Sequence, residues 1–78
     1  MPNVGQYGPY RVFFYSNEGF ERPHVHIERD DSVAKFWLDP VDLAKKGNFK
    51  AYELTKLREL VVEHQTEWLE KWHEHFGT

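Results

Sequence analysis

The feature that most constrains the fold is a change in the spacing of apolar residues near residue 51. Beyond this point they recur every three or four positions, the period of a helix with one buried face. They are Leu54, Leu57, Val61, Trp68, Trp72 and Phe76, in one stripe interrupted by Gln65. Upstream, apolar and polar residues alternate, which is typical of half-buried strands. The sequence predicts an α+β fold in which a C-terminal helix or helix pair packs on one face of an antiparallel sheet.

The predicted sheet occupies residues 10–44 of a single domain that spans 1–78. Three strands are expected at about 10–16, 24–29 and 32–38, with a short fourth at about 41–44, which gives three or four strands. Asp30 and Asp31 form the tight connection between the second and third strands, and Asp39-Pro40 ends the third. Residues 1–9 contain two glycines and two prolines, so an irregular lead-in is expected there.

The helical segment, 51–76, is long for a chain of 78 residues. A bend or break near residues 64–66 would let two halves fold over the sheet, so one bent helix and two helices are both compatible with the pattern. His64 lies at this point and is expected to cap a helix end. Gly77 is expected to end the helical segment, because glycine readily adopts the left-handed conformation found there.

Composition excludes several classes of protein and of site. The absence of cysteine rules out disulfides, cysteine-based zinc sites and thiol nucleophiles. No apolar run is long enough for a signal peptide or a membrane span, so a cytoplasmic protein without membrane contact is expected. The 6 Phe, 4 Tyr and 3 Trp residues supply large apolar areas for the core of a small domain.

Charge is distributed unevenly along the chain. Residues 1–50 contain seven basic and seven acidic residues, for a net charge of 0, whereas residues 51–78 contain three and six, for a net charge of −3. An acidic helix surface repels phosphate. Any contact with nucleic acid is therefore expected on the N-terminal part of the chain.

Two histidines separated by one residue, in Pro23-His24-Val25-His26-Ile27-Glu28, define the candidate site. In a strand, both imidazoles lie on the same side, opposite Val25 and Ile27. With Asp30 and Asp31 as the loop, His26 pairs with Lys35 and His24 with Trp37. Val12 and Phe14 are expected to face the core. The predicted open surface, here named the histidine face, then comprises Arg11, Tyr15, His24, His26, Lys35 and Trp37.

Such a face suits cleavage of RNA by attack of its own 2′-hydroxyl group. His24 and His26 would serve as acid and base, and Lys35 and Arg11 would stabilise charge on the phosphate. The aromatic rings, among them Tyr15 and Trp37, would stack unpaired bases. This hypothesis describes a ribonuclease that needs neither a metal ion nor a cofactor.

Three other interpretations remain open. The histidines are a metal site if Glu28 joins them, although Lys35 opposite His26 would repel a cation. They are structural if both are partly buried and hydrogen-bonded within the sheet. The face is a non-catalytic binding surface for a protein partner if its aromatic residues form the contact. In any of these, Glu18 and Glu21 border the loop that leads into His24, so either carboxylate would act as an imidazole partner.

Several segments together resemble the DUF4160 family of small bacterial proteins. They are Tyr15-Ser16-Asn17-Glu18-Gly19, Pro23-His24-Val25-His26-Ile27, Ala34-Lys35-Phe36-Trp37-Leu38 and the C-terminal Trp72. The resemblance implies a short sheet followed by helices. It also implies a toxin-like role beside a DUF2442-type protein as antitoxin. The motif positions it carries over are Asn17, Glu18, Pro23, His24, His26, Lys35 and Trp37. Lys50 departs from the helix-capping serine expected there, and lysine is a poor N-cap.

Overall fold

The computed structural model of the protein is a five-stranded antiparallel sheet with one long helix, and it describes residues 3–17 and 19–77. The strands follow chain order across the sheet. They are β1 (Asn3–Tyr7), β2 (Tyr10–Phe13), β3 (His24–Arg29), β4 (Ser32–Leu38) and β5 (Val41–Lys45), and the helix is α1 (Ala51–Phe76). The predicted α+β class is confirmed.

The predicted count of three or four strands is too low, because β1 lies within the segment expected to be irregular. Tyr7 pairs with Tyr10, so Gly8 and Pro9 form a two-residue hairpin loop. Gly8 has a φ of 60°, the positive angle that such a loop requires at its first position. The glycines and the proline near β1 therefore mark a hairpin rather than an irregular lead-in. β2 also ends at Phe13, three residues before the predicted end.

The central hairpin has the predicted register. Arg29 pairs with Ser32 across Asp30 and Asp31, and Asp30 takes the positive φ of 56° that closes the loop. The bounds of β3 and β4 coincide with those expected from the alternating pattern. Val25 lies opposite Phe36, and both are completely buried.

The core lies between one face of the sheet and the apolar stripe of α1. Its helical members are buried and pack on sheet residues, as the spacing predicted; they are Leu57, Val61, Trp68 and Trp72. Gln65, the polar residue in the stripe, donates a hydrogen bond of 2.6 Å from Nε2 to the Leu38 carbonyl oxygen. An unpaired buried amide would destabilise the fold, and this bond avoids that cost.

The helix is continuous, so the alternative of two helices is not realised. His64 lies within it rather than at an end, and its expected capping role is wrong. The His64 ring instead stacks on Trp68 at 5.2 Å, and its Nδ1 lies 3.5 Å from a carboxylate oxygen of Glu67. Gly77 ends the helix as predicted, since its φ is 69° and its N–H donates to the His73 carbonyl oxygen.

The first turn of α1 is tied to the sheet by an ion pair. Lys50 provides no side-chain cap for the helix. Glu53 is 7% exposed and accepts hydrogen bonds from Arg29 Nε at 2.6 Å and Arg29 Nη2 at 2.8 Å. The Tyr10 hydroxyl also donates to this carboxylate at 2.9 Å. Three donors on two neighbouring strands thus fix where the helix begins.

One negative finding concerns membranes. Within the described ranges, 3–17 and 19–77, no helix is both long and apolar enough to cross a bilayer.

Candidate functional site

Strand pairing brings the predicted histidine face together. His26 lies opposite Lys35, and His24 lies opposite Trp37, as the sequence predicted. On the other side of β3, His26 lies opposite Phe13. The face is therefore built on three adjacent strands, which hold its side chains in a fixed order.

His26 is a half-buried imidazole surrounded by other rings. It stacks on Phe13 with ring centroids 5.3 Å apart and an angle of 25° between the planes. The Tyr15 ring is tilted against it at 4.9 Å, and the His24 ring meets it edge to face at 5.2 Å. These contacts restrict the orientation of the imidazole while part of it stays accessible to solvent.

His24 does not lie on an open surface. It is 0% exposed, and its ring lies 4.9 Å from that of Trp72 in α1, as well as 5.7 Å from Trp37. His24 Nδ1 lies 2.8 Å from the Arg22 carbonyl oxygen, so Nδ1 carries the hydrogen and donates it. The expectation of an exposed His24 is wrong because the last turns of the helix cover the start of β3.

Both of the cations expected to bind a phosphate, Arg11 and Lys35, are already paired with carboxylates. Arg11 Nη2 lies 2.8 Å from Glu28 Oε1, and Lys35 Nζ lies 2.9 Å from Glu21 Oε1. Glu21 thus pairs with Lys35 rather than with an imidazole. These carboxylates reduce the positive charge that the face presents to solvent.

Arg22 was missed by the sequence interpretation. Its guanidinium carbon lies 4.7 Å from the centroid of the Trp37 ring, and Lys35 Nζ lies 4.6 Å from the same centroid. Arg11 makes a similar contact with Phe13, at 4.4 Å. No sequence pattern indicated Arg22, because it lies in a loop whose path the strand register does not determine.

Glu18, which the sequence placed at this site, lies outside the residues that the structure describes. In the described ranges, no group of three or more His, Asp or Glu side chains is arranged to hold a metal ion. The Glu28 carboxylate, which the metal interpretation required, is engaged by Arg11.

Comparison with known proteins identifies a family. Neither the curated proteins nor the solved structures contain a significant match. The family model described as "Domain of unknown function (DUF4160)" matches residues 10–73, which include β2 to β5 and most of α1. The matched region contains both site histidines, Lys35, Trp37 and Trp72. The chain belongs to the DUF4160 family.

Proposed function

We propose that this protein acts on single-stranded RNA as a toxin-like module, with the histidine face as its contact surface. The observation that carries the proposal is the packing of three cations on aromatic rings of one face: Arg11 over Phe13, and both Arg22 and Lys35 over Trp37. Unpaired bases stack on aromatic and guanidinium planes, and cations bind the phosphates between them. A surface that combines the two suits a flexible single strand better than a rigid duplex.

In this proposal, His26 is the group that transfers protons. Imidazole is the side-chain type that ordinarily exchanges protons near neutral pH. His26 takes the proton of the 2′-hydroxyl group as its oxygen bonds to phosphorus. The bond from phosphorus to the 5′-oxygen then breaks, and the leaving oxygen receives the proton that His26 has taken up, which returns His26 to its neutral form. The products are a 2′,3′-cyclic phosphate and a 5′-hydroxyl group, and Lys35 stabilises the added negative charge on phosphorus.

His24 then serves as a positioning residue for His26. Its Nδ1–H bond to the Arg22 carbonyl fixes its ring, whose edge contacts the His26 ring. Because His24 is enclosed by Trp37 and Trp72, direct contact with a substrate would require the face to open. Replacing His24 should shift the pH profile of cleavage, whereas a purely structural role would change only stability.

The proposed setting is the bacterial cytoplasm, with a DUF2442-type antitoxin as the protein partner. The test is expression of the chain in bacteria with and without the gene for a DUF2442-type protein, scored for growth arrest and RNA decay. Wild type should arrest growth unless the partner is present. His26→Ala should be harmless, and His73→Ala, an exposed histidine on the helix, should remain toxic. Growth arrest that persists in His26→Ala would contradict the proposal.

A protein-binding module is the second candidate function. It is favoured by the carboxylates that pair with Lys35 and Arg11, and by two exposed rings, Tyr15 at 42% and Phe20 at 85%. Such a module should bind the partner without degrading RNA. Binding that is lost in Phe20→Ala, together with intact cellular RNA, would support this function over the first.

A further inference from the structure

Consecutive side chains of the loop between β2 and β3 differ in their exposure to solvent. Phe20 is 85% exposed and Arg22 is also exposed, whereas Glu21 between them is partly buried. Glu21 reaches the sheet, where it contacts Lys35 on β4. The loop therefore places an aromatic ring and a guanidinium group in solvent and a carboxylate on the histidine face.

The contact with Glu21 shields the Lys35 ammonium group. The two charged atoms are 2.9 Å apart, and the side chains are 14% and 27% exposed for Lys35 and Glu21 respectively. Lys35 Nζ also lies 4.6 Å from the centroid of the Trp37 ring. The Glu21 carboxylate thus lies beside the Lys35 ammonium group, and its negative charge repels a phosphate that approaches Lys35.

Arg22 differs from Lys35 in its contacts. Within the part of the chain that the structure describes, no carboxylate forms an ion pair with it, and its guanidinium group lies over Trp37. Since Arg22 and Lys35 both lie over the Trp37 ring, at 4.7 and 4.6 Å from its centroid, successive phosphates of a single strand can reach both. Arg22 is open to the first of them, and Lys35 is not.

We propose that Glu21 is an autoinhibitory carboxylate: a phosphodiester of single-stranded RNA contacts Arg22 and then displaces Glu21 from Lys35. This inference rests on the proposed function. A partly exposed ion pair such as that of Glu21 with Lys35 changes the equilibrium constant for RNA binding by no more than about fivefold. Release of counterions from several phosphates is a larger effect, so RNA can displace the carboxylate.

The test is the affinity of a fluorescently labelled single-stranded RNA for four variants and wild type. Glu21→Gln should tighten binding by about fivefold, the full strength of such a pair. Lys35→Met should weaken binding and reduce the slope of log K against log salt by about 0.7, the value for one phosphate contact on a single strand. The double variant, Glu21→Gln with Lys35→Met, should bind RNA no more tightly than Lys35→Met alone. Glu70→Gln removes the same charge from an exposed helix position and should leave affinity within about twofold of wild type, as for other surface charges.

The outcomes separate this inference from the proposed function. If wild type binds RNA and Glu21→Gln binds equally well, the autoinhibitory role is wrong and the RNA-binding role stands. A gain that persists in the Lys35→Met background would also overturn it, because the carboxylate would then act on another group. If neither wild type nor Glu21→Gln binds, both proposals are wrong. Thermal unfolding of each variant confirms that the fold is retained.

Discussion

At the scale of single residues, Glu53 is a nearly buried carboxylate held by three hydrogen bonds from Arg29 and Tyr10. The hydrogen bonds from Arg29 are the main reason that the pKa of Glu53 lies below its ordinary value of 4.5, and the Tyr10 hydroxyl lowers this pKa further. Burial opposes these effects but does not outweigh them. For Tyr10, burial is the main cause of a raised pKa, and the nearby Glu53 carboxylate adds to it.

This interaction predicts a pH dependence of stability. A carboxyl group whose pKa is lowered by folding stabilises the folded state above its unfolded pKa, and the stabilisation is lost as pH falls through the folded value. The melting temperature should therefore fall as pH drops below the ordinary value of 4.5. Glu53→Gln should show a shallower fall, because its side chain does not titrate. If the melting temperatures of wild type and Glu53→Gln fell equally with pH across this range, the stabilising role of the Glu53 carboxylate would be contradicted.

Two glycines with similar backbone angles provide a second prediction at this scale. Gly8 and Gly47 have φ values of 60° and 58°. A Cβ atom at Gly8 meets nothing within 4 Å, whereas one at Gly47 would lie 2.1 Å from the Val33 carbonyl oxygen. Gly8→Ala should cost about 1–2 kcal/mol for the left-handed conformation alone. Gly47→Ala should destabilise at least twice as much in chemical denaturation, and equal effects would exclude the clash.

At the scale of secondary structure, the apolar stripe of α1 predicts which helical residues matter for stability. Trp68 and Leu57 are completely buried, so Trp68→Ala and Leu57→Ala should each cost about 3 kcal/mol through lost burial and a cavity. His73 is exposed, and His73→Ala should change the free energy of unfolding by less than about 0.5 kcal/mol. If His73→Ala were the most destabilising of the three in thermal unfolding, the account of the core would be wrong.

The elements differ in how far the sequence predicted them. The β3–β4 hairpin was predictable residue by residue, because two strands with one buried face allow a single register around Asp30 and Asp31. β1 was missed because its glycines and flanking prolines weaken the strand pattern, and only its pairing with β2 reveals the hairpin. The burial of His24 was also missed, since it depends on Trp72 reaching the end of the sheet from a distant part of the chain.

At the scale of the whole molecule, the net negative charge and the histidine face belong to different parts of the chain. The C-terminal third of the chain has the entire net charge of −3. The histidine face lies on the sheet, where basic side chains are packed on rings or paired with carboxylates. Strand register was enough to predict that His24, His26, Lys35 and Trp37 meet there, but not that Arg22 joins them. Their pairing with Glu21 and Glu28 required the loop path and the side-chain conformations, neither of which the apolar pattern contains.

The measurement that tests the central claim most directly is cleavage of an end-labelled single-stranded RNA by the purified protein. Wild type should produce fragments with 2′,3′-cyclic phosphate ends and should remain active in EDTA. His26→Ala should be slower by about 100-fold or more, as expected when a general acid–base group is removed, while His73→Ala should match wild type. A folded protein that neither binds nor cuts RNA, or whose activity is lost in EDTA, would contradict the account.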